Sequence, residues 1–587
     1  MAETLDKVDA VIVGSGWAGG ISAAELTKAG YKVVMLEKGR KQSKEDFLNI
    51  KDELRFSIRY DMMQNLSKET VTARKSVDDE AKPVRNNKSA RLGQGKGGAG
   101  VHWNGVTFRW MPYDFEIYSQ TVERYGKDKI PEECTIQDWG IDWDTVEPYY
   151  DKFEKTLGIS GEENPLGAKR SDQYPTPPLK SSAAIDLFMD STKNLGYHPY
   201  RLPAATLSQQ YTNPDGETIN ACMYCAFCEE YGCHFGAKAD PLLTVLLTAE
   251  KTGNMDLRDQ STVTEVIHEN GKATGVKYVD NNSGKEFIQP ADIVVLAGFV
   301  FTNTKLLLMS EIGEPYNPET EKGVIGRNFT GHFNNLSTYV GARGYFDNKK
   351  FNLAMGTGAL GATIDDFSGD HWDHNDVDFL HGYEIHYFQL GNRPIKNNAV
   401  PRGTPQWGPE FKKKSLYYTN RNLLIVPQTA FLPNRYSYLD LDPAYKDEFG
   451  NPLVRATVTY TDQERERTRH GVENCGKIME EMGADIIDVD EVADDIEFDR
   501  QFFTDHFIGG VIMGDDPEIS AVNTYSQMWD MENLFVVGGS SFPHTSAYNP
   551  TGTIGAFAYR AAEGMIEYLE GDGGLVEEPG KNNVSKI

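Results

Sequence analysis

Four stretches of the chain are apolar almost throughout and run into glycine: VDAVIVG from Val8, YKVVMLEKG from Tyr31, ADIVVLAG from Ala291 and LFVVGG from Leu534. Short uninterrupted apolar runs closed by a turn residue predict strands buried on both faces, the pattern of a parallel sheet covered by helices. Two of them lie near the start and two lie hundreds of residues on, so they predict one α/β domain assembled from distant segments. Elsewhere the pattern changes period. STYVGARGYF from Ser337 and ATVTYTD from Ala456 alternate polar and apolar residues, which predicts an antiparallel sheet with one wet face and hence a second domain. No internal repeat or low-complexity block interrupts the order; LKSSAAIDL from Leu179 is one polar stretch, and the Gly/Asn-rich end after Leu569 reads as a frayed tail.

The first two strands frame a chemical motif. In VDAVIVGSGWAGGISAAELTKAGYKVVMLEKG, Gly14, Gly16 and Gly19 follow a strand and open an Ala-rich helix, and the next strand ends in Glu37. This is a dinucleotide-binding fingerprint. Gly14 allows the tight turn, Gly16 lets the main chain approach a pyrophosphate at the positive helix end, and Gly19 allows helix and strand to pack closely. Glu37 is placed to accept from a ribose hydroxyl. The motif leaves FAD and NAD both open.

Charge and cysteine usage narrow the partners. With 59 basic and 87 acidic residues the formal charge is −28, which repels a phosphate backbone, and no Lys/Arg stripe overrides it, so nucleic acid is excluded as a partner. No apolar run approaches the ~18 residues needed to span a bilayer. MAETLDKVDA lacks the basic start and apolar stretch of a secretory signal, so export is expected to depend on another subunit. Four of six cysteines, Cys222, Cys225, Cys228 and Cys233, fall within CMYCAFCEEYGC; Cys134 and Cys475 lie far away. Thiols spaced x2, x2 and x4 suit thiolate ligation of zinc or an iron–sulfur cluster better than disulfides closing such short loops.

Beyond the fingerprint, the chain resembles the glucose-methanol-choline (GMC) oxidoreductases over nearly its whole length. GQGKGGAGVHWNGVTFRW from Gly93, LAGFVFTNTKLLLMSEIG from Leu296, VIGRNFTGH from Val324, DEFGNPLVRATVTYTDQERER from Asp447 and the segment from Asn533 to Gly564 carry the likeness, in order. The resemblance implies FAD, hydride transfer from an alcohol carbon, and a p-hydroxybenzoate-hydroxylase-like architecture. That is a Rossmann-like α/β FAD-binding domain from residues 1–115, 215–340 and 500–587, with an α+β substrate domain from 116–214 and 341–499. It further implies flavin contacts at Gly98, His102, Asn104, Val263, Gly539 and Asn549. His506 in DHFIGGVIMG becomes the expected base and Asn549 in AYNPTGT the group that orients the alcohol. A neutral imidazole near pH 7 can take the alcohol proton. His544, five residues before Asn549, matches no catalytic position and is expected to be supporting or structural.

His102 in VHW stands where some sugar-oxidising members bond a histidine to the flavin methyl carbon, and the expectation leans to that bond over a hydrogen bond beside the ring. Phe299 and Asn303 replace a small residue and a Pro of the family's second signature, and VGGSS lacks a usual acidic residue. The cysteine stretch resembles that of the sugar and sugar-acid dehydrogenase branch, the gluconate 2-dehydrogenase type above all, where it holds an iron–sulfur cluster, commonly three-iron. That implies gluconate or another sugar as substrate, electrons leaving one at a time to a cytochrome c or quinone partner, a small signal-bearing subunit, and membrane or periplasmic placement through partners. The alternative is a stand-alone oxidase using oxygen, with the cysteines on a structural zinc.

Overall fold

The computed structural model describes residues 2–47, 62–85, 92–332, 340–392, 398–494, 506–571 and 573–577; the tail beyond 577 and the first residues of STYVGARGYF lie outside these. All four apolar runs are strands of one eight-stranded sheet. Its order is Ser261–Glu269, Lys272–Asp280, Glu286–Leu296, Val8–Val13, Val33–Leu36, Met255–Arg258, with Glu3–Thr4 and Leu534–Val536 also on the long Glu286–Leu296 strand. Glu286–Leu296 changes neighbours along its length. Its first half pairs antiparallel with Lys272–Asp280, and its second half pairs parallel with Val8–Val13 on one side and Leu534–Val536 on the other. Ala10, Val11, Ile12, Ile293, Val294, Val295 and Leu296 are all fully buried, as a strand covered on both faces requires.

This register brings three strand ends to one place. Ala297 N–H donates to Val13 O at 2.9 Å and Val537 N–H to Leu296 O at 2.9 Å, so Gly14, Ala297 and Gly538 line one sheet edge. Helix Trp17–Lys28 starts there and packs between Val245–Thr252 and Thr551–Glu570.

The second sheet is six-stranded and antiparallel: Ile486–Val489, Ala342–Tyr345, Asn422–Thr429, Tyr383–Phe388, Gly361–Ile364, Tyr200–Arg201. One face is covered by helix Asp462–Glu481, opened by a capping box in which Thr461 and Glu464 satisfy each other's main-chain N–H groups. A side chain on Gly344 would meet Met479 Sδ at 2.3 Å, which fixes how closely that helix lies. Strand pleat then dictates the other face. Glu384 opposes Gln428 and His386 opposes Thr363, so these four polar residues share the side turned away from the helix. ATVTYTD departs from expectation: its first two residues end strand Pro452–Thr457, which belongs to a separate four-stranded sheet with Tyr438–Lys446, Thr72–Arg74 and Lys82–Pro83. Among the described residues no helix is long and apolar enough to cross a membrane.

Candidate active site

The glycine loop forms a cradle held from beneath. Gly14 has φ +99°, and a Cβ there would lie 2.6 Å from Ala297 O, so both backbone and space demand glycine. A Cβ on Gly19 would lie 2.1 Å from Gly14 O, whereas one on Gly16 would meet nothing within 4 Å. Gly16 therefore faces an open concavity at the helix N-terminus, the place for a pyrophosphate. Gly98, at φ +54°, closes on it: its Cβ would come 3.2 Å from Gly16 Cα. Glu37 also ties the loops of the cradle to one another. Its Oε1 accepts from Gly39 N at 2.8 Å and Gly95 N at 3.1 Å; its Oε2 accepts from Ser15 N at 3.2 Å and Ser15 Oγ at 2.6 Å. Hydrogen bonds to a charged group contribute roughly 1.5–3 kcal/mol each, so this buried carboxylate clamps two glycine-rich loops together. Ser15 Oγ continues the clamp by accepting from Gly97 N at 3.0 Å.

The remaining expected flavin contacts surround this cradle at different depths. Asn104 Oδ1 accepts from Val106 N at 3.0 Å, fixing the turn after His102. Val263 lies at a bulge in the outer hairpin, which Ser261 N–H fastens to Glu37 O at 2.8 Å. Gly539 O accepts from Gly509 N at 3.0 Å and so joins the C-terminal turn to the His506 segment. Asn303 explains its own departure from the family pattern. Its Oδ1 accepts from Gly298 N at 2.8 Å while its Nδ2 donates to Leu296 O at 3.3 Å and Ser540 Oγ at 2.9 Å. It ties the strand end to the final loop, and Phe299 turns the chain into the helix at φ +78°.

His506 and Asn549 meet, and two residues not foreseen from sequence extend the pair. His332 donates from Nε2 to the Ser546 carbonyl at 2.9 Å, and burial, with His506 beside it, holds its pKa well below the usual histidine value. It is thus neutral, with its lone pair on Nδ1. His506 Nδ1–H donates to that nitrogen at 2.7 Å, which leaves the His506 lone pair on Nε2, 3.2 Å from Asn549 Nδ2. The Asn549 amide is itself oriented: Gln428 Nε2 donates to Asn549 Oδ1 at 3.3 Å and to Ala547 O at 2.8 Å. A single tautomer satisfies the whole row. His332 closes the VIGRNFTGH motif and was readable as a chemical group there; Gln428 sits inside the apolar run NLLIVPQT and gave no local signal. His544 is fully buried between Trp139 Nε1 at 2.9 Å and the Asp114 carbonyl at 2.8 Å, a supporting place rather than a catalytic one.

His102 follows the Gly98–Val101 turn, and the cysteine loop docks directly onto it. Glu230 N–H donates to His102 O at 2.8 Å. Lys238, fully buried, places its ammonium on three carbonyls, Trp103 O at 2.7 Å, Cys228 O at 2.8 Å and Tyr231 O at 2.8 Å. Tyr224, Ala226 and Glu230 all take left-handed backbone, at φ +53°, +67° and +74°. Cys222, Cys225, Cys228 and Cys233 are free thiols, and they are near enough for each other's charge to raise the pKa of Cys222 and Cys228. Yet among the described residues no three His, Cys, Asp or Glu side chains are gathered as a metal site, so the expected ligand set is close together but not assembled. Burial pushes the Cys228 thiol up to about 12.

A Rossmann-type dinucleotide cradle joined to an imidazole–amide pair under an antiparallel sheet defines a flavin-dependent oxidoreductase. Residues 135–334 and 433–558 match models described as GMC oxidoreductase, and residues 9–46 match an FAD binding domain. A gluconate 2-dehydrogenase flavoprotein of Pantoea cypripedii is 39% identical over 98% of this chain and 96% of its own length. The fructose dehydrogenase large subunit of Gluconobacter japonicus is 23% identical over 97% of this chain and 99% of its own. Among solved structures, pyridoxine 4-oxidase from Mesorbium loti superposes with a TM-score of 0.59 at 16% identity, covering 95% of this chain and 99% of that one, which shows the fold. The chain belongs to the GMC oxidoreductase family, FAD enzymes acting on CH–OH groups.

Proposed function

We propose that this protein is the flavoprotein of a sugar-acid dehydrogenase, oxidising a secondary alcohol of gluconate or a similar polyhydroxy acid. The observation that carries the reading is the hydrogen-bonded row from Gln428 through Asn549 and His506 to His332. An alcohol oxygen between Asn549 Nδ2 and His506 Nε2 takes a hydrogen bond from the amide and yields its proton to the imidazole. His332 stays neutral, so the charge that His506 gains meets a lone pair rather than a second cation. Bound FAD supplies the hydride acceptor. The 39% identity to a gluconate 2-dehydrogenase flavoprotein favours that substrate class.

We further propose that His102 bonds the flavin, and that the four cysteines take up an iron–sulfur cluster as an electron exit to partner subunits, as the large-subunit name of the fructose dehydrogenase relative suggests. The donor set fits: four thiols on one loop, docked on His102 and Trp103 through Glu230 and Lys238. Anaerobic stopped-flow with gluconate tests the catalytic reading. His506→Ala is expected to slow flavin reduction by roughly 100-fold or more, as loss of a positioned base does. FAD content should be unchanged, and the yellow colour should stay with acid-precipitated protein. Reduction at the wild-type rate would remove His506 from the mechanism.

A further inference from the structure

The sheet face above the His506 row carries a second imidazole that the proton-transfer scheme leaves unused. His386 donates from Nδ1 to Glu384 Oε1, and Thr363 Oγ1 donates to Glu384 Oε2, so a buried carboxylate with a fixed partner sets the tautomer. His386 Nε2 is then an acceptor. It is buried in a residue only 1% exposed, and it has no hydrogen-bond partner. Native proteins rarely leave such an atom unsatisfied without a purpose.

Its position indicates what it waits for. Glu384 opposes Gln428 across the sheet, and Gln428 reaches Asn549, so His386 shares one face with the residues that orient the catalytic amide. His386 is also close enough to His332 to act on it: after burial and His506, it is the next histidine that lowers the His332 pKa. On the same face Thr363 opposes both His386 and Tyr200, and Tyr200 O–H donates to Asp365 at 2.8 Å, beside Asn164 Nδ2 at 2.5 Å. A row of polar groups so lined up meets hydroxyls, not a hydrocarbon.

We propose that the Glu384–His386 pair is a hydroxyl-binding subsite: His386 Nε2 accepts from a substrate hydroxyl next to the one that His506 deprotonates, and so selects polyhydroxylated substrates over simple alcohols. This rests on the functional reading above and deepens it. Glu384 acts through His386, as the positioning residue that keeps the proton on Nδ1.

The test uses the FAD-loaded full chain with D-gluconate, sorbitol and 2-propanol, a secondary alcohol with no second hydroxyl, as probes. His386→Phe is expected to raise KM for whichever of gluconate or sorbitol reduces the wild type by about tenfold or more, the effect of losing one buried hydrogen bond. kcat should hold within about threefold, and KM for 2-propanol should not move. His386→Gln, which keeps an acceptor, should recover part of the loss, and Glu384→Gln should fall between. An unchanged KM in folded, FAD-loaded His386→Phe overturns the subsite, and so does a fall in kcat at constant KM. Should His386→Phe lose FAD, Glu384→Gln and Thr363→Val carry the same comparison. Wild type reduced by sorbitol but not gluconate overturns the sugar-acid reading and leaves the subsite to be decided by the variants; wild type reduced by neither overturns both.

Discussion

The segment Gly95–Trp103 touches two neighbours built on opposite principles. At its beginning, Gly95 and Gly97 donate to Glu37 and Ser15, and every charge in the clamp has its hydrogen-bond partners before any ligand arrives. At its end, the carbonyls of His102 and Trp103 meet the cysteine loop, where a buried ammonium sits on three carbonyls and burial raises the Cys222 and Cys228 thiols. One region is built on a buried carboxylate met by main-chain N–H groups, the other on a buried cation met by main-chain carbonyls. Residues in left-handed backbone cost of order 1 kcal/mol each, and three of them in the cysteine loop say that something besides local preference holds its shape. The cradle is held by a carboxylate beneath it, and the loop by the Lys238 cation beneath it.

The largest effect that would break this contrast lies in the loop. Cys225→Ser or Cys228→Ser should abolish iron and acid-labile sulfide and bring turnover with a cytochrome or quinone acceptor to background, while gluconate still bleaches the FAD. A stoichiometric zinc content without iron in the wild type would instead favour the oxidase reading. Next comes the cradle. Gly14→Ala forces a Cβ against Ala297 O at an unfavourable φ, and should destabilise the protein by about 2–4 kcal/mol; the FAD-to-protein ratio after gel filtration should fall with it. Full FAD content and an unchanged urea midpoint would show the cradle to be more yielding than its geometry says.

A smaller effect concerns pH. His332 is held neutral in the fold, so as pH drops through the unfolded histidine value the unfolded chain gains a proton that the folded chain refuses. Its contribution is level above neutrality and is lost on acidification. Asp240, Asp365 and Asp370, raised to about 7 by burial, gain stability over the same range and mask the trend in the whole protein. His332→Gln isolates it: the stability difference between wild type and variant should move against wild type by about 1.4 kcal/mol between pH 7.5 and 5.5. A constant difference across that range would mean that His332 takes up its proton in the fold as readily as in the unfolded chain.

The pattern of apolar runs was enough to place the α/β sheet, because strands buried on both faces leave a continuous signature in sequence. The glycine positions were equally readable, since Gly14 and Gly19 answer to local backbone geometry. Glu37 was found, but its partners Gly39 and Gly95 were not, because nothing local says that they will fold around it. His506 and Asn549 came from motif likeness; His332 and Gln428 depend on which strands and loops meet, which no window along the chain records. Glu384 and His386 stand two apart in YEIHYF, a period readable as one strand face but silent about what that face covers. The cysteine spacing was plain, but whether thiols converge is a matter of charge and metal, not of spacing.

The strand Glu286–Leu296 carries a consequence for the order in which the site comes into being. Its inner partner is made at the start of the chain, and its outer partner, Leu534–Val536, with the Asn303 tie to Ser540 beside it, is made about 240 residues later. At ribosomal rates of ~5–20 residues per second, that gap lasts roughly 12–50 s. During this interval one edge of the flavin sheet is open; His506 is made only near its end, and Asn549 after it. Flavin captured before the last strand docks would therefore sit in a socket whose catalytic pair is still incomplete.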